Sequence, residues 1–311
     1  MEIFGYKELK NAPQGGVIAL GFFDGVHAAH RKILKEASLQ AQKRGLPFGI
    51  FTFSAESDIK SNTRRLYTTE ERLGIIDGLG ADFAVVAGFG EIRGFGARDF
   101  VGEVLIKGLD ASVAVAGYNF RFGNGREGNG ASLSALMKEY GRETLIIDEI
   151  RIAEREVSST VIRGLIEDGR IKEANGLLGL PYFLSGEVVH GKAKGRNLGF
   201  PTVNTALSEK KIIPKPGVYR SLLQCEGKLY NAVTNIGTCP TLGEREMHSE
   251  THLIDFSGDL YGRVARIFLL DFLREEKLFA NEKELIMQIN IDKNTTIKKN
   301  GVEKWQELGL K

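Results

Sequence analysis

The first half of the chain alternates continuous apolar runs with segments of helical hydrophobic spacing. Five runs have strand length and lie at residues 17–20, 48–53, 83–87, 113–116 and 144–147. Because runs without polar alternation are typical of strands buried on both faces, helices are expected on each side of the sheet. Strand–helix alternation predicts a parallel sheet that binds ligands at the carboxyl ends of its strands.

Four helices are predicted between these strands, over residues 31–44, 69–79, 98–106 and 132–140. A further helical segment covers residues 158–180. After about residue 183 the pattern changes to strands joined by Gly, Pro and Asn turns, at residues 186–190, 217–223, 228–234, 250–256 and 264–272. One helix follows near residues 282–289. These turns leave little room for crossover helices, so an antiparallel barrel is expected.

Length and composition indicate the number of domains and the kind of partner that the protein can have. The 311 residues suggest two domains, which we predict at 1–183, with a helical linker over 158–183, and at 184–311. A net charge of +2 gives the chain as a whole no positive electrostatic field that would attract nucleic acid. No apolar run approaches the roughly 20 residues of a membrane span, and the first residues lack a signal-peptide pattern. Cys225 and Cys239 form no metal-ligand pattern, so we expect a reduced, cytoplasmic protein.

A glycine-rich turn joins the first predicted strand to a helix. It reads Gly21-Phe-Phe-Asp-Gly-Val-His-Ala-Ala-His30, and the free N–H groups of a helix start favour an anion. His27 and His30 share one face of the first turn, where they can donate hydrogen bonds to phosphate. Phosphate binding, a structural role and half of a metal site all remain open. Asp24 fits both a helix cap and a metal contact.

A second ligand loop is predicted after the fourth strand, at Gly117-Tyr-Asn-Phe-Arg-Phe-Gly-Asn-Gly-Arg-Glu-Gly128. Phe120 and Phe122 can flank a planar ring, Asn119 can bond to its edge, and Arg121 can pair with a phosphate. Alternatively, both phenylalanines belong to the core and Arg121 to the surface.

The same loop contains a GxGxxG pattern at Gly123, Gly125 and Gly128, and Asp148 lies 20 residues beyond it. We reject a dinucleotide-binding motif, because the glycines do not directly follow the first strand. A third segment, Val157-Ser-Ser-Thr-Val-Ile-Arg163, places hydroxyl groups where they can cap a helix.

The second half has its own candidate site. Gly191-Lys-Ala-Lys-Gly-Arg-Asn-Leu-Gly-Phe-Pro-Thr-Val-Asn204 is either a basic flap over phosphates or a solvated loop. Thr202 and Asn204, two residues apart on an extended segment, would point to one side and could contact phosphate and Mg²⁺ together. Glu250, at a strand start, is either a base that takes a proton from an alcohol or a surface residue.

These motifs resemble those of known enzymes. The first turn resembles the HxGH signature of nucleotidyltransferases, with Ala29 in place of the glycine. The run Gly-Arg-x-Leu-Gly-Phe-Pro-Thr-x-Asn, followed by Gly217-Val-Tyr, Asn235-Ile-Gly-Thr-Cys-Pro-Thr241 and Glu250-Thr-His-Leu-Ile-Asp-Phe, looks like riboflavin kinase. Together, from about residue 15 to about residue 295, they resemble bacterial bifunctional riboflavin kinase/FMN adenylyltransferases (FAD synthetases).

The resemblance implies a Rossmann-like nucleotidyltransferase domain followed by a Greek-key β-barrel with a helix. The barrel would phosphorylate riboflavin to FMN with MgATP, releasing ADP, and the first domain would join AMP from ATP to FMN, giving FAD and pyrophosphate. Mg²⁺ would accompany ATP as co-substrate, with no tightly bound prosthetic group. No nucleic-acid or membrane partner is expected, and the sequence does not indicate an oligomeric state.

The resemblance also implies roles for individual residues. Glu250 would be the kinase base, with Thr202 and Asn204 at Mg²⁺ and the phosphates. His27 and His30 would be the catalytic residues of adenylyl transfer. Residues for ATP or phosphate binding would be Gly21, Phe23, Asp24, Gly25, Ser159, Thr160, Arg163, Gly191, Lys192, Gly195 and Arg196. Residues near the flavin would be Asn119, Phe120, Arg121, Phe122 and Gly123.

Three alternatives remain. Ala29 could weaken or abolish adenylyl transfer and leave a riboflavin kinase that accumulates FMN. The first half could act on nicotinamide or pantetheine nucleotides, which leaves the kinase-like half unexplained. The chain could also be a non-catalytic flavin-binding regulator, which would bind flavin without ATP turnover.

Overall fold

The computed structural model of the chain describes residues 1–54, 64–189, 200–208, 210–238 and 247–298. The chain forms two compact units, Met1–Val161 and Ile162–Lys311. No helix within the described ranges is long and apolar enough to cross a membrane.

The first unit is built on a six-stranded parallel sheet. Its strands are β1 (Glu2–Gly5), β2 (Val17–Leu20), β3 (Phe48–Phe53), β4 (Phe83–Ala87), β5 (Val113–Gly117) and β6 (Glu143–Ile147). Their order is β1-β4-β3-β2-β5-β6, so the sheet grows in opposite directions from β2 and β5. The loops after these two neighbouring strands leave the same edge of the sheet. Such a switch point is where open α/β sheets bind their ligands.

Helices cover both faces of this sheet, as predicted. They are α1 (Ala28–Arg44), α2 (Thr69–Asp77), α3 (Phe89–Ile92), α4 (Ala97–Asp99), a π-helix (Phe100–Ile106) and α5 (Gly130–Glu139), with short 3₁₀ helices at Tyr6–Asn11 and Asn124–Arg126. Val17 and Ala19 belong to one buried cluster, whereas Ile18 and Leu20 belong to the other. Successive strand residues face opposite sides, so burial of both sides explains the continuous apolar runs.

A short hairpin of β7 (Arg151–Ile152) and β8 (Arg155–Glu156) leads to α6 (Ser159–Glu167) and α7 (Ile171–Leu178). The helical segment predicted over residues 158–180 is present and consists of two helices. Gly169 lies between them with a φ of +76°, a left-handed conformation that glycine adopts at little cost.

The second unit is a closed antiparallel barrel, which confirms the predicted fold. Its strands are β9 (Phe183–Val189), β10 (Thr202–Ala206), β11 (Gly217–Cys225), β12 (Lys228–Thr238), β13 (Met247–Leu253) and β14 (Val264–Arg274). They follow the order β10-β13-β12-β11-β14-β9, and pairing of β9 with β10 closes the barrel. Helix α8 (Glu282–Lys298) packs against β12 and β11.

Two candidate active sites

The loop between β2 and α1 is a tight turn with three residues at positive φ. These are Phe23 (+55°), Gly25 (+89°) and Val26 (+41°), and the Val26 N–H donates to the Phe23 carbonyl at 3.0 Å. Positive φ costs a non-glycine residue roughly 1–2 kcal/mol, so the surroundings must hold the turn in place. Phe23 is fully buried, and a Cβ on Gly21 would come within 2.9 Å of its ring.

The two histidines lie at the start of α1, as their spacing predicts. His27 is the N-cap residue, and its Nδ1 accepts a hydrogen bond from the His30 backbone N–H at 3.4 Å. Their rings stack with centroids 3.6 Å apart and planes at 14°. The Phe23 ring packs edge-on against His30 with centroids 5.4 Å apart. The two imidazole rings therefore form one stacked pair at the N-terminus of α1.

Burial keeps both imidazoles neutral near pH 7. It lowers the pKa of His27 to about 4, and it lowers the pKa of His30 well below its ordinary value. Because His27 Nδ1 accepts a hydrogen bond, the proton of the neutral ring is on Nε2, which can donate to a ligand. His30 Nδ1 is buried and has no hydrogen-bond partner among the described residues. Within the same ranges, no group of three or more His, Cys, Asp and Glu side chains could hold a metal.

The serine-rich motif joins this turn directly. Ser159 Oγ donates to the Asp24 carbonyl at 2.7 Å, and Asp24 Oδ1 accepts from the Leu66 N–H at 2.9 Å. The Asp24 side chain therefore holds the backbone at Leu66. The helix cap that the sequence allowed for Asp24 is provided by His27. Ser158, the other serine of the motif, caps α6 as the capping interpretation predicts, because its Oγ accepts from the Val161 N–H at 3.4 Å.

Three further residues are placed by their helices. Thr160 and Arg163 lie three residues apart on α6, so they share a face of that helix. Ala29, which replaces the glycine of the HxGH pattern, is a partly exposed residue in the first turn of α1.

The loop after β5 begins beside the histidine turn, because Ala116 pairs with Leu20 in the sheet. Phe120 and Phe122 stack on each other with centroids 5.5 Å apart and planes at 15°. A ring between them would need about 7 Å, twice the contact distance of about 3.5 Å. Phe122 is a core residue, so the interpretation that these rings flank a ligand does not fit this arrangement.

The other residues predicted to lie near the flavin differ in their exposure and contacts. Asn119 is exposed, with its Oδ1 3.5 Å from where a Cβ on Gly117 would stand. Arg121 is exposed, and its Nη1 donates to the Phe120 carbonyl at 2.9 Å. Gly123 has a φ of +76°, and a Cβ there would lie 2.8 Å from the Ala97 nitrogen, so this position requires glycine.

The barrel aligns its candidate residues across three neighbouring strands. Glu250 on β13 stands opposite Asn204 on β10 and opposite Asn235 on β12. Directly opposed residues share a face, with Cβ atoms about 4.5–5.5 Å apart. Thr202 lies on the same face because it is two residues from Asn204, as predicted. It stands opposite His252, which is two residues from Glu250.

This polar row lies on the outside of the barrel. On the alternate residues, the hydroxyls of Ser221, Thr234 and Thr251 are buried and bonded to one another, at 2.7 and 3.0 Å. Glu250 itself is exposed. The four predicted phosphate residues Gly191, Lys192, Gly195 and Arg196 lie outside the described residues.

Sequence reasoning did not assign Asn235 to the site. Its Nδ2 donates to Glu276 Oε1 at 3.0 Å, while its Oδ1 is buried and has no partner among the described residues. Gly237, two residues on, leaves room for Glu276, because a Cβ there would overlap the carboxylate. Asn235 opens one of the motifs that resemble riboflavin kinase, but only the strand register brings it beside Glu250.

Comparison with known proteins gives a family match for each half of the chain. A family model described as FAD synthetase matches residues 9–161, and one described as riboflavin kinase matches residues 178–299. The bifunctional riboflavin kinase/FMN adenylyltransferase of Bacillus subtilis (strain 168) is 32% identical over 299 residues, which cover 93% of this chain and 94% of that protein. Its counterpart in Escherichia coli (strain K12) is 35% identical over 300 residues, covering 94% and 96%.

One solved structure is similar over nearly the whole chain. It is the crystal structure of a protein from Streptococcus pneumoniae described as a macrolide-efflux protein, with a TM-score of 0.87 and 29% identity. The likeness covers 96% of this chain and 100% of that one. With both family models matched in this order and relatives aligned over more than nine-tenths of the chain, the protein belongs to the family of bifunctional riboflavin kinase/FMN adenylyltransferases.

Proposed function

We propose that the chain phosphorylates riboflavin to FMN with ATP at the barrel site and adenylylates FMN to FAD at the amino-terminal site. The domain order of the family models and the names of the relatives support both reactions. Riboflavin and FMN are then the acceptors, ATP is the donor in both steps, and ADP and pyrophosphate are the by-products.

The kinase proposal is carried by the register of Glu250 with Asn204. In this reaction the 5′-hydroxyl oxygen of riboflavin attacks the γ-phosphorus of ATP, the bond to the β,γ-bridging oxygen breaks, and ADP leaves. Glu250 takes the hydroxyl proton, which general-base chemistry requires of a carboxylate within hydrogen-bond reach. Thr202 and Asn204 orient the phosphates. Phosphoryl transfer depends mainly on positioning and charge neutralisation, so this small set of groups is sufficient.

Mg²⁺ fits the same row of residues. Thr202 and Asn204 offer hydroxyl and amide oxygens, the donor type that Mg²⁺ prefers, on one face of β10, and Glu250 stands opposite Asn204 as the proposed base. When bound, the ion would neutralise phosphate charge. The basic residues Lys192 and Arg196 are further proposed phosphate ligands, for reasons of charge alone.

The adenylyltransferase proposal is carried by the stacked histidines at the α1 N-terminus. A phosphate oxygen of FMN attacks the α-phosphorus of ATP, the bond to the pyrophosphate oxygen breaks, and FAD forms without a covalent enzyme intermediate. The Nε2–H of neutral His27, the polar edge of His30 and the helix N-terminus supply donors for the phosphates. Ser159, Thr160 and Arg163 are proposed to contact the same phosphates, and Asn119 and Arg121 the flavin nucleotide.

Two general assignments accompany this proposal. We propose a cytoplasmic location, supported by cysteine usage without a disulfide framework. The functional boundary between residues 183 and 184 also stays a prediction, because a compact unit beginning at Ile162 does not show which reaction needs α6 and α7.

The proposal is tested by incubating the purified chain with riboflavin, ATP and Mg²⁺ and separating the flavins over time. We expect FMN first and FAD after it. FMN without FAD, from riboflavin or from supplied FMN, would favour the alternative in which Ala29 weakens the first site, and Ala29→Gly would then restore FAD. Flavin binding without either product would favour the regulator instead.

A further inference from the structure

Arg72, which the sequence analysis did not single out, is a fully buried residue of α2 with 1% of its surface exposed. Its guanidinium joins the ends of two neighbouring strands. Nη2 donates to the carbonyl of Phe53, the last residue of β3, at 2.6 Å. Nη1 donates to the carbonyl of Phe22, in the turn after β2, and to Thr52 Oγ1 at 3.2 Å.

Two further contacts hold Phe22 in place, one to its carbonyl and one to its ring. Thr52 Oγ1 also donates to its carbonyl, at 3.2 Å. The Arg72 guanidinium carbon lies 4.7 Å from the centre of the Phe22 ring, within the range of a cation–π contact. The next residue, Phe23, has the positive φ that begins the turn carrying His27. Arg72 therefore fixes the residue from which the strained turn starts.

The same contacts suit a site for anions. Carbonyl oxygens at the carboxyl edge of a parallel sheet carry partial negative charge and would repel phosphate if they faced it. A guanidinium that donates hydrogen bonds to two of these carbonyls removes this repulsion and places a positive charge beside the turn.

Arg72 also acts electrostatically on the histidine pair. After burial, the groups that lower the pKa of His30 are His27, at the start of its own helix, and Arg72, from α2. Loss of the Arg72 charge would therefore raise the pKa of His30, whereas a lysine at this position would keep the charge.

We propose that Arg72 is a positioning residue for adenylyl transfer: by holding the Phe22 and Phe53 carbonyls, it fixes the turn that presents His27 and His30 to the phosphates of ATP. This inference rests on the proposed adenylylation of FMN. It assigns Arg72 no contact with substrate, so the effect of its loss passes through the turn and the histidines.

The test uses the full chain with Arg72→Met, Arg72→Lys and Thr52→Val, and measures both reactions on each preparation. Arg72→Met should lower kcat for FAD formation from FMN at least 10-fold with a smaller change in KM for FMN, and should move the acid limb of the pH profile to higher pH. Arg72→Lys should leave that limb in place and recover part of the rate. Riboflavin phosphorylation should stay within about twofold, which shows that the barrel is intact, and hydrogen exchange of α1 reports on the folding of the first unit.

The matched control is Arg44→Met, which removes an exposed arginine of the same unit that donates to Glu143 and Gln40; it should change neither reaction. If Arg72→Met does not fold, Thr52→Val decides, because it removes one bond to the guanidinium and one to the Phe22 carbonyl while the arginine stays. Thr52→Val should lower the rate of FAD formation severalfold.

Unchanged FAD kinetics and pH profile in folded Arg72→Met, or in Thr52→Val where Arg72→Met does not fold, would overturn the inference. If the parent chain makes no FAD from FMN, the proposed function fails instead. NMR titration of the histidine imidazoles then tests Arg72 independently of activity. The His30 signal should titrate at higher pH in Arg72→Met than in the parent, and an unchanged titration would contradict the role given to Arg72.

Discussion

Asn204 on β10 stands directly opposite Glu250 on β13. Because an antiparallel ladder fixes this pairing, the separation of the two side chains is set by backbone hydrogen bonds and does not depend on a loop. The proposed proton acceptor Glu250 and the proposed phosphate or Mg²⁺ ligand Asn204 therefore keep their relative position whatever covers the site.

Glu250→Gln should slow riboflavin phosphorylation by about 10²–10⁴-fold, the usual contribution of general-base catalysis. The amide keeps the size of the side chain but cannot take the proton. FAD formation from supplied FMN should be unchanged. Glu187→Gln, an exposed glutamate on β9 of the same barrel, is the control and should affect neither rate. A kinase that keeps its rate without the Glu250 carboxylate would need a different base.

Gly123→Ala should destabilise the first unit by roughly 2–4 kcal/mol, because it adds a clash to an unfavourable backbone conformation. The new Cβ would lie 2.8 Å from the Ala97 nitrogen. Gly125→Ala is the matched control, since its φ is also positive, at +62°, but nothing lies within 4 Å of a Cβ there. It should cost about 1 kcal/mol. Hydrogen exchange of the surrounding amides measures both, and equal effects would contradict the structure.

The pKa of His27, lowered from 6.5 to about 4, makes the first unit sensitive to acid. As pH falls, the unfolded chain binds the proton first, so stability present above pH 6.5 is lost between pH 6.5 and about 4, by up to about 3 kcal/mol. His27→Asn keeps a residue that can cap α1 and should reduce this loss. The check is the unfolding free energy from hydrogen exchange of α1 at pH 7 and pH 5. An equal loss in the variant and the parent would argue against a buried, neutral His27.

Ser159→Ala removes the hydrogen bond to the Asp24 carbonyl and should lower the rate of FAD formation by about 3–10-fold, corresponding to about 1 kcal/mol for one hydrogen bond. Ser134→Ala is the control, because Ser134 Oγ also donates to a backbone carbonyl, that of Gly130, at 3.0 Å. It should leave both reactions unchanged. A kinetic comparison at saturating FMN and varied ATP measures the effect, and equal rates in the two variants would remove Ser159 from the site.

The first unit could be predicted well because its strands are apolar on both faces. All five predicted strands of the sheet are present, within one residue at each end. β1 was not predicted because it is a four-residue edge strand whose Ile3 is exposed. β10 was not predicted as a strand because its sequence, TVNTA, is polar where it faces the candidate site. In both cases tertiary pairing, rather than apolar periodicity, makes the segment a strand.

The candidate site residues also divide into those that the local sequence predicts and those that only the fold brings together. His27, His30 and the pair Thr202 and Asn204 follow from local spacing, which a sequence displays directly. Asn235 and Arg72 do not, because each reaches its place through contacts between segments that are distant in the chain. Phe120 and Phe122 suggest a ligand slot from the local sequence, whereas in the fold their rings stack on each other, and their contact with the flavin stays a prediction.

We propose that one chain carries two separate sites, each serving one reaction. Two variants that each lack one reaction, Glu250→Gln and the double variant His27→Ala/His30→Ala, are mixed and supplied with riboflavin, ATP and Mg²⁺. We predict that the first alone makes almost no FMN, the second alone stops at FMN, and the mixture makes FAD. If Glu250→Gln also abolished FAD formation from supplied FMN, or if the histidine variant still made FAD at the parent rate, the assignment of two sites would be contradicted.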